Sequence, residues 1–261
     1  MITRVELEEL TKKYEIEEFI KDDPIQFPHR FKKLEDIEIA GFLASLFAYG
    51  NRKVFIKKLD ELFSIMKNQP LNFILNFDPK DLTGFNYRFA KDIDIIEVFL
   101  ILKRLYTTDG GLKSLFEYGY STPHPNPLPQ GARENNSIAI MLQIVVDYFY
   151  ARVQNEVKAG FYHLIPCPKN KGAMKRMNMF LRWMVRKGPV DLGLWDFIPT
   201  SELLIPLDVH VARLSREMGL LKRSSNDFKA VVELTENLKK FDRNDPIKFD
   251  FAIFGLGINK K

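Results

Sequence analysis

The stretch Leu204-Ile205-Pro206-Leu207-Asp208-Val209-His210-Val211-Ala212-Arg213-Leu214-Ser215-Arg216-Glu217-Met218-Gly219-Leu220 decides how the chain is read. An apolar approach containing a proline ends at an acidic residue, and a helix-compatible run follows up to Gly219. An aspartate at that position caps free amides and lies where the helix dipole favours a carboxylate. The same placement, behind a buried approach, also suits an electrostatic role. A carboxylate kept ionised in a poorly solvated setting stabilises a cationic, sugar-like transition state, as in glycosidic cleavage. Spacing alone leaves capping and chemistry both open for Asp208. Arg213 and Arg216 follow within two turns, where they can reach phosphates or pair with acids.

Outward from this stretch the pattern is helical almost everywhere. Thr3 and Glu6 have capping-box spacing, and apolar residues at helical intervals run from Ile2 to Ile20 before Asp22-Asp23-Pro24. Further helices are expected over 35–49, 52–67, 92–106, 137–158, 174–187, 206–219, 225–240 and 245–255, broken by Gly, Pro and Asn. The 35–49 segment is apolar over much of its circumference and should be buried. No alternating strand run and no internal repeat is visible. Ser121–Asn136 carries four prolines at alternating positions, which excludes a helix, and reads as an exposed or disordered insertion.

The 261 residues are 46% hydrophobic and 13% aromatic, with 22 Phe, an ordinary globular balance with a bulky core. No run approaches the roughly 20 apolar residues that span a bilayer, and the charged opening residues do not read as a signal peptide. A single cysteine, Cys167, excludes an internal disulfide framework. A cytoplasmic protein, most simply a monomer, is expected. The net charge of +5 permits a polyanionic partner without requiring one. His29, His124, His163 and His210 are scattered without metal-ligand spacing, and no Gly-rich phosphate loop or nucleophile elbow is present, so neither metal nor cofactor is expected.

The run Pro206-Leu207-Asp208-Val209-His210-Val211-Ala212-Arg213-Leu214, followed by Met218-Gly219-Leu220, resembles the catalytic segment of the helix-hairpin-helix-Gly/Pro-Asp DNA glycosylase superfamily. The resemblance assigns the catalytic aspartate to Asp208 and a structural histidine to His210. Over most of its length the chain is also similar to the domain-of-unknown-function 2400 family of bacterial proteins. That likeness rests on residues 38–51 (EIAGFLASLFAYGN), 179–186 (MFLRWMVR) and 245–257 (DPIKFDFAIFGLG).

The resemblance implies an all-α, two-lobe fold. Residues 36–187 would form a central lobe, and residues 1–35 with 188–261 the second. Asp208 would stand on one wall of a cleft and Lys175 near the opposite one, with duplex DNA across it and one base extruded. A glycosylase with lyase activity needs a lysine amine to attack C1′, and Lys175 is the first candidate, ahead of Lys171 and Lys187. Without a lysine nucleophile, Asp208 would activate water. The usual Leu-Pro-Gly-Val-Gly hairpin is absent; its nearest replacement is Pro166–Arg176, where Lys171, Gly172 and Arg176 would meet a phosphate.

Asn51, after Gly50, either turns the chain or fills the gap left by a flipped base. Arg182 and Arg186 flank Trp183 and either contact DNA or are solvated or ion-paired around a core tryptophan; Arg213 is a further candidate DNA contact. The alternatives to a base-excision enzyme are a non-catalytic nucleic-acid-binding protein of the same fold, or a helical interaction protein.

Overall fold

The computed structural model describes residues 2–122 and 137–259, so all but the first two residues of the Pro-rich run lie outside the described residues. Twelve α-helices occur among them: α1 (Arg4–Tyr14), α2 (Leu34–Phe47), α3 (Arg52–Ile65), α4 (Pro70–Asn76), α5 (Asp92–Thr108), α6 (Gly111–Ser121), α7 (Ser137–Tyr150), α8 (Ala159–Leu164), α9 (Lys175–Val185), α10 (Val209–Glu217), α11 (Phe228–Lys239) and α12 (Phe249–Asn259). Short 3-10 turns connect several of them, and no strand forms among the described residues; Tyr87–Ala90, Gly172–Asp227 and Lys187–Leu192 are isolated bridges. The expected all-α class is thus what the structure has.

The chain divides into two compact units. One, the terminal unit, joins Met1–Gln26 to Pro168–Lys261; the other, the central unit, is Phe27–Cys167. The boundary differs from the sequence expectation, because α9 belongs with the terminal segments rather than with the central helices.

Electrostatics supplies the reason. Arg182 and Arg186, both 4% exposed, project from the last turns of α9 into acids drawn from three other segments. Arg182 bonds Asp191 at 3.2 Å and also pairs with Asp250 of α12. Arg186 bonds Asp191 at 3.0 Å and Asp245 at 2.8 Å, and pairs with Glu15 just after α1. Asp191 reaches both arginines because the chain doubles back on α9. Leu192 N donates to the Trp183 carbonyl at 2.9 Å and Leu194 N to that of Met184 at 2.6 Å, which satisfies carbonyls that the helix end leaves open. In the same unit the Tyr14 ring of α1 lies so close to Gly255 of α12 that a Cβ there would be 2.2 Å from it.

The central unit is organised around α2, whose residues from Ile37 to Phe47 are all buried, as its apolar circumference implies. Inside it, Tyr106 donates to the buried Glu38 at 3.2 Å. Burial and that neighbouring carboxylate push the Tyr106 phenol well above its ordinary value. Two further buried acids on α5 explain a boundary that the sequence misplaces. Glu97 accepts from Gln154 N at 2.6 Å and from the Asn155 side chain at 2.5 Å, and Asp94 accepts from Lys158 N at 2.6 Å. These bonds hold 154–158 out of the helix, so α7 stops at Tyr150 instead of running to 158. Tertiary carboxylates outcompete local helical bonding there.

Removing a charge from the arginine cluster leaves buried carboxylates uncompensated. Arg186→Ala is expected to lower unfolding stability by about 3–5 kcal/mol in denaturant titrations.

Candidate functional site

Asp208 occupies the N-cap of α10 in extended backbone (φ −113°), and its Oδ1 accepts from the amides of His210 and Val211, each at 2.9 Å. The approach Leu203–Leu207 is buried, and Ile205 N donates to Thr235 of α11 at 3.1 Å, so the strand-like entry is fixed on the unit's interior. Capping uses one carboxylate oxygen. The other, Oδ2, faces Lys175 Nζ at 3.9 Å, with the two side chains 21% and 30% exposed. Asp208 therefore caps the helix and also presents a half-buried oxygen to an amine. The sequence expectation put Lys175 across a cleft from Asp208; the structure brings them together within the terminal unit.

Lys175 opens α9, and the backbone leading into it is strained. Lys171 (φ 59°) and Met174 (φ 51°) both adopt left-handed conformations, at a cost of the order of 1–3 kcal/mol each. The loop is pinned at Gly172 by its bridge to Asp227 and by Phe228 N donating to the Lys171 carbonyl at 3.0 Å. Asp227 is itself the N-cap of α11, and the Arg223 side chain bonded to its carboxyl holds its pKa down at about 2. Cations at the start of a helix oppose its dipole, and α9 has no side-chain cap. Around this helix start Lys171 and Gly172 are exposed and Arg176 is half-buried.

The other sequence candidates fall elsewhere. Arg182 and Arg186, offered by the sequence either as DNA contacts or as ion-paired residues, are inside the terminal unit in ion pairs, because the acids described above meet their guanidinium groups. Burial opposes charge on Arg182, but Asp191 and Asp250 outweigh it and push its pKa up. Arg213 is exposed and pairs with Glu217 one turn on, at 2.5 Å. Asn51 is the N-cap of α3 in the central unit, its side chain accepting from Val54 N at 3.4 Å. His210 is exposed and Lys187 lies at a turn bridged to Leu192. Among the described residues no three His, Cys, Asp or Glu side chains gather as a metal site, and no helix is long and apolar enough to cross a membrane.

Sequence reasoning missed a second feature, in the central unit. Tyr87 and Ala90 exchange both backbone hydrogen bonds at 2.9 Å, forming a tight turn whose tip is Arg88-Phe89. Arg88 is left-handed (φ 51°) and Phe89 is 60% exposed. The turn is locked to the α2–α3 junction, where Tyr49 donates to the Tyr87 carbonyl at 3.1 Å and Tyr87 donates to that of Tyr49. The Phe89 and Tyr49 rings lie nearly parallel, 8° apart with centroids at 6.4 Å, and His163 stands edge-on to both. The Arg88 guanidinium lies 5.8 Å from the Tyr49 centroid and 5.5 Å from that of Phe89. It passes where a Cβ on Gly50 would be, 2.3 Å away, so Gly50 is needed for that approach as well as for its own φ of +87°. No periodicity marks such a turn in the sequence.

A family model described as protein of unknown function, DUF2400, matches residues 23–259. The chain belongs to that family. The match contains Lys175, Asp208 and the Arg88-Phe89 turn, and all three runs that carry the sequence likeness. No curated protein and no solved structure matches the chain.

The two uses of Asp208 separate experimentally. Asp208→Ala should lose about 0.5–2 kcal/mol of stability with the cap, while Asp208→Asn keeps most of it; thermal melts of the two variants check this.

Proposed function

We propose that this DUF2400 protein is a DNA glycosylase-like enzyme in which Lys175 and Asp208 act as a pair. The observation that carries the reading is the amine at 3.9 Å from a carboxylate oxygen whose partner oxygen is locked on two backbone amides. That arrangement is preorganised and half-buried. The likeness of residues 206–220 to the glycosylase aspartate segment supports the same assignment.

In the reaction, Asp208 Oδ2 takes a proton from the Lys175 ammonium. The freed electron pair attacks C1′ of the damaged nucleotide as the bond from C1′ to the base breaks. The bonding pair leaves with the base, which then picks up a proton. Positive charge on the sugar develops beside Asp208, where a fixed carboxylate stabilises it without reorganising. Ring opening leaves an iminium between Lys175 and C1′, which water hydrolyses or which proceeds to strand cleavage. If water replaces the lysine as nucleophile, Asp208 accepts its proton instead. Lys171 and Arg176, beside the α9 start, supply phosphate contacts.

A second reading is favoured by the exposed Arg88-Phe89 turn: a nucleic-acid-binding protein without bond cleavage. A strained, rigidly held turn offering an aromatic face and a guanidinium suits stacking on a base next to its phosphate.

Borohydride trapping on duplexes carrying oxidised, deaminated, alkylated or abasic sites tests the first reading. A covalent adduct is expected, lost in Lys175→Ala and reduced about 100-fold or more in Asp208→Asn. Absence of both adduct and base release on every duplex sinks it. Binding titrations at two salt concentrations test the second: Phe89→Ala should weaken binding roughly 5- to 100-fold, the worth of one stacked base, and unchanged binding removes the turn from the interface.

A further inference from the structure

The loop between α10 and α11 takes no part in the proposed reaction, yet it carries an excess of positive charge. Residues 222–229 read Lys-Arg-Ser-Ser-Asn-Asp-Phe-Lys. The antiparallel bridge between Gly172 and Asp227, with Phe228 N donating to the Lys171 carbonyl at 3.0 Å, lays this loop beside residues 169–176, Lys-Asn-Lys-Gly-Ala-Met-Lys-Arg. The two stretches together hold seven of the chain's 39 Lys and Arg but one of its 34 Asp and Glu. Without these 16 residues the chain would carry one more acid than base.

The one acid is already engaged. Asp227 takes the Arg223 guanidinium through both oxygens, at 2.6 and 2.5 Å, and caps α11 through Ala230 N at 3.1 Å. Lys175 faces Asp208. Glu233 accepts from the amide of Lys222 at 2.7 Å. Among the described residues no ion pair takes up the ammonium groups of Lys171, Lys222 or Lys229, and all three residues are exposed. The loop's acceptors are occupied as well. Arg216 Nε donates to the Arg223 carbonyl at 2.8 Å, and its Nη2 donates to the Ser224 carbonyl at 2.8 Å and to Asn226 Oδ1 at 2.6 Å. Oxygens that would repel an anion are thus bonded within the protein, while the ammonium groups and the exposed Ser224 and Ser225 remain. The same clamp holds the loop in shape before any ligand arrives, which lowers the ordering cost of binding. Uncompensated cations on two joined loops repel one another, a cost that a bound polyanion removes.

We infer that the 222–229 loop is a phosphate-contacting surface of the terminal unit, which together with 169–176 follows the sugar-phosphate backbone of a nucleic acid without reading its sequence. Lysines interleaved with Ser and Asn are side chains that meet phosphate and sugar oxygens. A membrane surface fits less well, because neither stretch exposes a large hydrophobic residue for insertion. The inference rests on the nucleic-acid partner of the proposed function but not on bond cleavage.

Anisotropy titrations of the full chain on a labelled, undamaged duplex at several salt concentrations test it. The double variant Lys222→Ala/Lys229→Ala is compared with a charge-matched control, Lys32→Ala/Lys80→Ala, which removes two exposed lysines of the central unit. Each phosphate contact adds about 0.9 to the steepness of log affinity against log salt, so the loop variant should lose about 1.8 of it and bind roughly 10-fold or more weakly at low salt. The control should keep the wild-type slope, and both variants should melt with the wild type. If the double variant melts lower, Lys222→Gln and Lys229→Gln singly each carry an expected fall of about 0.9. An unchanged slope in the loop variants, an equal fall in the control, or no duplex binding by the wild type at low salt overturns the inference. Tighter binding to phosphatidylserine vesicles than to the duplex overturns it too, and would make the partner a membrane. A reduced slope with no adduct in borohydride trapping defeats the glycosylase reading alone; an adduct with an unchanged slope defeats the loop alone.

Discussion

The two guanidinium groups of Arg182 and Arg186 organise the terminal unit. Each is taken out of water, a cost of several kcal/mol per ion, and each is surrounded by carboxylates from segments far apart in sequence. Because a buried ion pair loses its value quickly when its geometry slackens, these contacts fix α9 more tightly than an apolar contact of the same area would. Asp191 bridges both arginines, Asp250 ties in the last helix, and Glu15 with Asp245 ties in the first helix and the turn before α12. The position of Lys175, two turns up the same helix from Arg182, follows from that anchoring.

The site is built on this frame from backbone devices. The apolar run into α10 delivers Asp208 to a helix start with one oxygen already committed to amides, which removes most of its rotational freedom. The strained entry into α9 delivers Lys175 to the remaining oxygen. Left-handed backbone at Lys171 and Met174 would be relieved by a looser loop, so its persistence means that the surrounding bonds over-determine it. Strain, half-burial and basic residues thus coincide at one helix start.

Much of this was legible in the sequence and part was not. Helix existence was, because apolar periodicity and caps such as Thr3–Glu6 and Asp208 act locally. The buried α2 was readable from its all-round apolar face. Helix ends were less so: α7 stops early because Glu97 and Asp94, some sixty residues away, capture the amides that would have continued it. The partners of Arg182 and Arg186 were left open for the same reason, since an arginine on a helix looks alike whether a phosphate or a buried aspartate meets it. Asp208 and Lys175 could be named from pattern, but not their direct approach. The Arg88-Phe89 turn carries no pattern at all, being held by two tyrosines whose reciprocal hydrogen bonds exist only in three dimensions.

The order of segments has a consequence for how the molecule is made. The central unit is one continuous stretch, whereas the terminal unit must bring Glu15 to Arg186 across 171 positions and Glu8 to Lys248 across 240. On a ribosome the central helices emerge whole and can collapse while the first helix waits without its partners. Long-range closures of this kind are slow to nucleate. The amine and carboxylate can meet only after α9 and α10 have both emerged, so a chain cut short before α10 holds no such pair.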